Sequence, residues 1–369
     1  MKHILMIGTG GTIASGRSTE GLMPELSTDQ LLAFVPAVSS LCSIDSIQLF
    51  SLDSTDICPA HWLLLARQIR AQYDRYDGFV IAHGTDTMAY TAAALSYLIR
   101  GARKPIVLTG AQKPISFDST DSKVNLTDAF RCACSDTLHG VLIVFNGKVI
   151  LGTRARKTRT KSYEAFSSIN YPYLAVLQDD CLLQYIENAF LPEPLFSDRL
   201  DDRVALLKLI PGVRTDLVKY MLQENDALIL ESFGVGGIPS YQGTQFLDVL
   251  NEGLDQGKTV VLTTQVANEG SNVGVYQVGR RLRACPQILE AFDMTTEAVV
   301  GKLMWILGQT ADPAQIRALF YTPVANDILN YKSLPPHAHG ALPDAPERSS
   351  HKNRSLPQIA AGSGSVLFP

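Results

Sequence analysis

The chain has 369 residues, 46% of them hydrophobic and 18% charged, with a formal net charge of −4. That length exceeds one comfortable core, so two domains are expected, and the slight acidity gives no global pull toward nucleic acid. No apolar stretch approaches the roughly 20 residues that span a bilayer, and the N-terminus runs into a strand pattern without the apolar core and small-residue cleavage site of a signal peptide. A cytoplasmic protein without membrane contact is expected.

From residue 1 to about 188 the pattern alternates strands with helices. Strands are expected over 3–7, 46–50, 79–82, 105–108 and 140–145, and helices over 28–34, 59–73, 88–98 and 126–135. Alternation at this spacing argues for a parallel sheet covered by helices on both faces. Residues 189–202, with Pro192, Pro194 and mixed charge, read as a linker. A second α/β unit follows over 203–331, with strands at 204–208, 227–231 and 259–263 and helices at 215–223, 241–256 and 296–307. The last stretch, 332–369, is rich in Pro, Ser, Gly and His, cannot bury enough apolar surface to offset its ordering entropy, and is expected to be disordered. Six cysteines (Cys42, Cys58, Cys132, Cys134, Cys181 and Cys285) show no zinc-site spacing and read as reduced, mostly packing thiols. Neither a metal nor an organic cofactor is expected.

Two turns carry threonines at the ends of strands: GTGGTIA at 8–14 and HGTDT at 83–87. In an open α/β sheet such turns lie at the carboxyl ends of the strands, where ligands bind. The first turn breaks the dinucleotide fingerprint, since Ile13 occupies the third glycine position, and it has no phosphate-loop lysine. Gly10 and Gly11 can instead take positive φ and clear space beside the Thr12 hydroxyl, which suits either a nucleophile or a simple cap. Thr85 and Asp86 are equally readable as caps of the helix near Met88, DSTD at 53–56 as another cap, and His83 as a structural histidine. Arg154, Arg156, Lys157, Arg159 and Lys161 form a run that composition alone assigns to a solvated face.

Together these motifs resemble the L-asparaginase family, and within it the cytoplasmic, type I group. The resemblance rests on TGGTIA at 9–14, DSTD at 53–56, HGTDTM at 83–88, TGAQ at 109–112, Asp121 and Asn125, Lys157 followed by Phe166 and Ser168, SFGVG at 232–236 and DMTTEA at 293–298, and it covers residues 1 to about 325. It implies a two-domain asparaginase-like fold, with a larger N-terminal parallel-sheet domain and a smaller C-terminal α/β domain. It also implies hydrolysis of L-asparagine to L-aspartate and ammonia through a β-aspartyl ester, with Thr12 as nucleophile and Thr85, Asp86 and Lys157 as its catalytic partners. Ser54, Thr55, Asp86 and Ala111 are the implied substrate contacts, and a homodimer or a dimer of dimers is the implied assembly. The chain departs from relatives where Leu22 and Met23 replace an assisting tyrosine, where Glu231 and Val266 replace an effector-site arginine and cysteine, and at Gly237. Two other readings remain: a glutaminase-like subunit of a tRNA-dependent amidotransferase, which normally carries an additional N-terminal domain, and an amino-acid sensor that has lost turnover.

Overall fold

A computed structural model describes residues 1–18, 21–239, 245–275, 282, 285 and 287–329; the segment 332–369 lies outside the described residues. Eight strands form the N-terminal sheet: β1 (Lys2–Gly10), β4 (Cys42–Leu52), β5 (Gly78–Ala82), β7 (Pro105–Thr109), β8 (Gly140–Phe145), β9 (Lys148–Leu151), β12 (Ala175–Gln178) and β13 (Cys181–Gln184). Their order is β13-β12-β9-β8-β7-β5-β1-β4. From β4 to β8 neighbours run parallel; from β8 to β13 they run antiparallel. The expected parallel sheet therefore holds for five strands and continues as a mixed sheet. A tight turn at Asn146 and Gly147, both at positive φ, reverses the chain after β8, and Asp179 and Asp180 do the same between β12 and β13.

Alternation across the strands divides two cores. Leu5, Ile7, Phe79, Ile81, Ile106 and Leu108 face α2 (Pro59–Gln72) and α3 (Met88–Leu98), whereas Ile4, Met6, Val80 and Val107 face α1 (Thr28–Ala33) and α4 (Ser122–Ala133). The fourth of these helices begins four residues before the expected start. The segment expected as a linker contains β14 (Leu195–Phe196), which pairs with β6 (Ile99–Arg100).

The C-terminal sheet is fully parallel in the order β15 (Val204–Lys208), β16 (Ala227–Ser232), β17 (Thr259–Thr264), β18 (Ile288–Glu290). One face carries α5 (Thr215–Glu224) and α6 (Gln245–Asp255). The other carries α7 (Thr296–Leu307), followed by α8 (Pro313–Tyr321), and its core runs on without a break into that of the N-terminal domain. The bridge is α7 against α3, which is buried at every position except Tyr90 and presents Ala93 and Ala94 to Gly301. A Cβ at Gly301 would stand 3.1 Å from the Ala94 nitrogen, so glycine sets how closely the helices approach.

Buried polar groups reinforce this junction. Arg154 is fully buried and donates to the Asn326 carbonyl at 2.6 Å, the Asp293 carbonyl at 2.8 Å and the Asp293 carboxylate at 3.0 Å. The basic run is thus not a solvated face at this residue. Among the cysteines, Cys42 and Cys132 are buried, but Cys58 and Cys181 are exposed, so packing accounts for only part of the set; none is in a disulfide.

Candidate active site

The strand order within the parallel part, second-first-third-fourth-fifth by sequence, places a topological switch point between β1 and β5. Both threonine turns emerge there. Gly11, at φ 79°, caps the short 3₁₀ helix Thr12–Ala14, and a Cβ on it would lie 2.3 Å from the Gly84 Cα. The two turns can meet backbone to backbone only because both positions lack side chains. Gly11 also donates its N–H to the Leu52 carbonyl at 2.9 Å, which draws the end of β4 and its DSTD segment to the same place. Thr12, Ser54, Thr55, Thr85, Asp86 and Ala111 accordingly follow the carboxyl ends of four adjacent parallel strands, β1, β4, β5 and β7.

Lys157 arrives from elsewhere. It ends β10 (Ala155–Lys157), which pairs antiparallel with β11 (Phe166–Ser168) outside the main sheet. Its Nζ donates to Thr85 Oγ1 at 2.8 Å and to Asp86 Oδ1 at 2.6 Å. Neither Thr85 nor Asp86 caps α3: the N-cap is Thr87, which makes no side-chain cap bond and donates its hydroxyl to the Ser54 carbonyl at 2.7 Å. Thr12 does not act as a cap either, since that position belongs to Gly11. Asp53, by contrast, is a true cap, accepting from the Thr55 N–H and hydroxyl at 2.8 Å each.

That cap separates the two DSTD hydroxyls chemically. Ser54 is buried and its Oγ accepts from the Asp86 N–H at 3.2 Å, which leaves its own proton available to a substrate oxygen. Thr55 is exposed and its hydroxyl proton is committed to Asp53. Ser54 is the better placed of the two to donate to a carboxylate.

His83 is structural. The Gly84 carbonyl can only accept, so His83 Nδ1 donates to it at 2.7 Å; Nε2 of the neutral ring then accepts from the Thr91 hydroxyl at 3.0 Å, and Trp62 Nε1 donates to Thr91 Oγ1 at 3.0 Å. Complete burial pulls its pKa down to about 4, so the ring is neutral and locks the turn that carries Thr85.

Two groups that the sequence reading did not assign as site residues complete the geometry. Gln112 in TGAQ accepts from the Thr85 hydroxyl at 3.4 Å and donates to the Ser162 carbonyl at 3.1 Å, tying the turn after β5 to the loop that follows Lys157. Asp121 accepts from the Gln112 N–H at 2.9 Å, the Lys113 N–H at 3.2 Å and Asn125 Nδ2 at 3.1 Å, and Asn125 also holds the Gly110 carbonyl at 3.0 Å. This clamp presents Ala111 by its backbone, its side chain being buried. Burial pushes the Asp121 carboxyl up, against the pull of its hydrogen bonds. A cavity of about 520 Å³ lies along the same loop, lined by Lys113 and Ser116 to Ser119; its lining includes none of Thr12, Thr85, Asp86 or Lys157.

Of the departures noted in sequence, Leu22 and Met23 lie in β3 (Gly21–Pro24), which pairs with β2 (Ser15–Ser18), but their side chains are outside the described residues. Glu231 is buried and accepts from the Thr296 hydroxyl at 2.7 Å, while Val266 is exposed. Arg156 Nε stands 3.8 Å from Glu297, whose carboxyl is raised by burial. Among the described residues, no cluster of three or more His, Cys, Asp or Glu could hold a metal ion, and no helix is long and apolar enough to cross a membrane.

Comparison with known proteins gives the family. The family model "Asparaginase, N-terminal" matches residues 3–188, and "Glutaminase/Asparaginase C-terminal domain" matches residues 203–320. The chain belongs to the asparaginase family. It is 38% identical to an L-asparaginase of Thermococcus kodakarensis over 88% of this chain and 98% of that protein. The solved structure of the thermostable enzyme from that organism superposes with a TM-score of 0.83, covering 89% of this chain and 99% of its own. A glutamyl-tRNA(Gln) amidotransferase component from Pyrococcus furiosus is 33% identical over 89% of this chain and 77% of its own length. A structure described as "Probable Cytoplasmic L-asparaginase from Campylobacter jejuni" matches at 28% identity and a TM-score of 0.75, covering 87% of this chain and 99% of its own.

Proposed function

We propose that this chain is an L-asparagine amidohydrolase that releases ammonia and L-aspartate. The observation that carries the reading is one lysine ammonium shared by the Thr85 hydroxyl and the Asp86 carboxylate, at the switch point where the Thr12 turn meets the Thr85 turn. Thr12 attacks the side-chain amide carbon, and backbone N–H groups of the two turns stabilise the oxyanion. The proton that Thr12 gives up passes through water to the Thr85, Lys157 and Asp86 relay, which hands one to the departing nitrogen as the C–N bond breaks and ammonia leaves; water then adds to the β-aspartyl ester, the bond to Thr12 Oγ breaks, and a proton of that water returns to Thr12. Asp86 takes the α-ammonium, Ser54 donates to the α-carboxylate and is joined by Thr55 once its hydroxyl turns from Asp53 to the substrate, and Ala111 lines the site by its backbone. Holding both charged ends of the amino acid fixes where its amide lies. Every proton in this scheme moves on the chain's own side chains or on water, without metal or organic cofactor.

The same reading places the enzyme in the cytoplasm as a homodimer or a dimer of dimers, independent of nucleic acid and membrane, with domains at 1–188 and 203–331 joined through 189–202. The likeness to the amidotransferase component favours a second reading, as a glutaminase-like subunit, for which co-purifying tRNA or a partner chain is the diagnostic. Ammonia release by purified protein, assayed with L-asparagine and L-glutamine, separates the readings. Thr12→Ala should abolish release while leaving the fold intact. Activity within about tenfold of wild type, or roughly 1.4 kcal/mol in the barrier, would rule Thr12 out.

A further inference from the structure

At the amino end of the N-terminal sheet, away from the threonine turns, the start of β8, the last turn of α3 with β6, the segment 188–195 and the turn at 322–326 line a cavity of about 460 Å³. Its size is that of small-molecule sites in general. Much of its wall is apolar, formed by Ile99, Val141, Leu151, Phe190, Leu195 and Val324. It is distinct from the threonine site: α3 begins two residues after Asp86 and reaches the cavity only at Ser96, about 12 Å along the helix axis.

Into this wall the fold sets a guanidinium that lacks a countercharge among the described residues. Arg100 lies over the Trp305 ring at 4.7 Å, and its Nε is buried without a hydrogen-bond acceptor. Burial lowers its pKa, and no carboxylate stands near enough to push it back. Two other arginines of low exposure do have acids to pair with: Arg154 meets Asp293, and Arg131 meets Asp128 and Asp180. Beside it, His139 lines the cavity with its ring 4.3 Å from Phe190 and its Nδ1 bonded to the Arg103 carbonyl at 2.6 Å, and the Arg103 guanidinium, outside the lining, lies over the same Phe190 ring at 5.6 Å. Of the two asparagines that line it, Asn188 and Asn326, the Asn188 amide is already spent on both backbone groups of His139.

We infer that this cavity binds a medium-chain monocarboxylic acid, its carboxylate on Arg100 and its chain along Ile99, Val141, Phe190 and Leu195. Arg100 lines the cavity and is partly exposed, and a cation set in an apolar wall carries a desolvation cost that a ligand carboxylate on its open side would offset. The planar guanidinium matches a carboxylate in shape and charge, and a hydrocarbon chain is what the remaining wall can desolvate.

The test is isothermal titration of the full chain with octanoate, alongside acetate, which has the charge without the chain, and 1-octanol, which has the chain without the charge. Octanoate should bind once per chain and at least tenfold more tightly than either control. Arg100→Gln should weaken octanoate at least tenfold and leave 1-octanol unchanged. Should Arg100→Gln fold poorly, Ala189→Trp carries the test, because Ala189 is an exposed residue on the cavity wall whose enlargement fills the entrance. That variant should lose octanoate binding and keep asparagine turnover. The inference is overturned if octanoate fails to bind at millimolar concentration, binds no better than 1-octanol, keeps its affinity in both variants, or is displaced by L-aspartate, which would place it in the threonine site.

Discussion

Two lysine–aspartate pairs of nearly equal length occupy this molecule in opposite surroundings. Lys302 and Asp327 are 2.7 Å apart with both side chains 0% exposed, whereas Lys157 and Asp86 are 2.6 Å apart with side chains 17% and 58% exposed. In the sealed pair every neighbour is protein: the Tyr97 hydroxyl at 2.9 Å from Asp327, the Thr322 carbonyl at 2.9 Å from Lys302, the Val324 N–H at 2.9 Å, and the rings of Tyr97 and Phe320. Such a pair ties α7 to α3 and has no room for a ligand. In the open pair the lysine is held by Thr85 and Asp86 while the carboxylate stays accessible to a substrate ammonium. The same two residue types thus stabilise the domain junction in one place and remain available for chemistry in the other. Solvent access makes the difference.

Exchanging the lysines for methionine should split stability from turnover. Lys157→Met is expected to lower kcat/KM with L-asparagine about a thousandfold, roughly 4 kcal/mol, within the range of lost proton-transfer catalysis, and to leave the melting temperature within a few degrees. A loss under tenfold would reduce the open pair to a surface ion pair. Lys302→Met should act in reverse, because Asp327 is left charged and buried: about 3–5 kcal/mol of stability is lost, read by denaturant unfolding, while the folded enzyme keeps its rate. Adding Asp327→Leu should restore much of that stability. If the double variant is no better than the single, the pair is not the unit it looks like.

His83 gives a smaller effect with a defined sign. Its pKa falls from 6.5 to about 4 in the folded chain, so between those values the unfolded state binds more protons. The stability due to its burial is complete above pH 6.5 and is lost as the pH falls to about 4, roughly 3 kcal/mol in all. The carboxyls of Glu297, Asp121 and Asp128 are raised by burial and pull the other way over part of this range. The informative quantity is therefore the difference between wild type and His83→Gln, which should shrink on acidification; a difference independent of pH would mean that the ring is charged when folded.

The parts legible in the sequence are those with strong periodicity or a long motif. The helix at 88–98 and the strand at 140–145 have the expected bounds, because each is a mostly apolar stretch between turn residues, alanine-rich in the helix and β-branched in the strand. The three- and four-residue strands from Lys148 to Gln184 have too few residues for alternation to register, although Asn146–Gly147 is a hairpin signal that the reading passes over. In the site, a hydroxyl next to glycines is visible one residue at a time. That Gly11 packs on Gly84, or that Gln112 bridges Thr85 to Ser162, depends on which strand ends are neighbours, and so on topology. The basic run shows the same limit most clearly: Arg154, Arg156 and Lys157 look alike in sequence, yet one is sealed on Asp293, one stands near Glu297 and one reaches Thr85.

The central claim is that Thr12, and not Thr85, forms the covalent bond to substrate. The most direct measurement is acid quenching of the enzyme during turnover of L-asparagine, followed by mass analysis of the peptides that carry the two threonines. The account predicts one aspartyl group esterified to Thr12, formed in step with the burst of ammonia and accumulating when hydrolysis is slow. An aspartyl group on Thr85, or ammonia release with neither threonine ever modified, would contradict it.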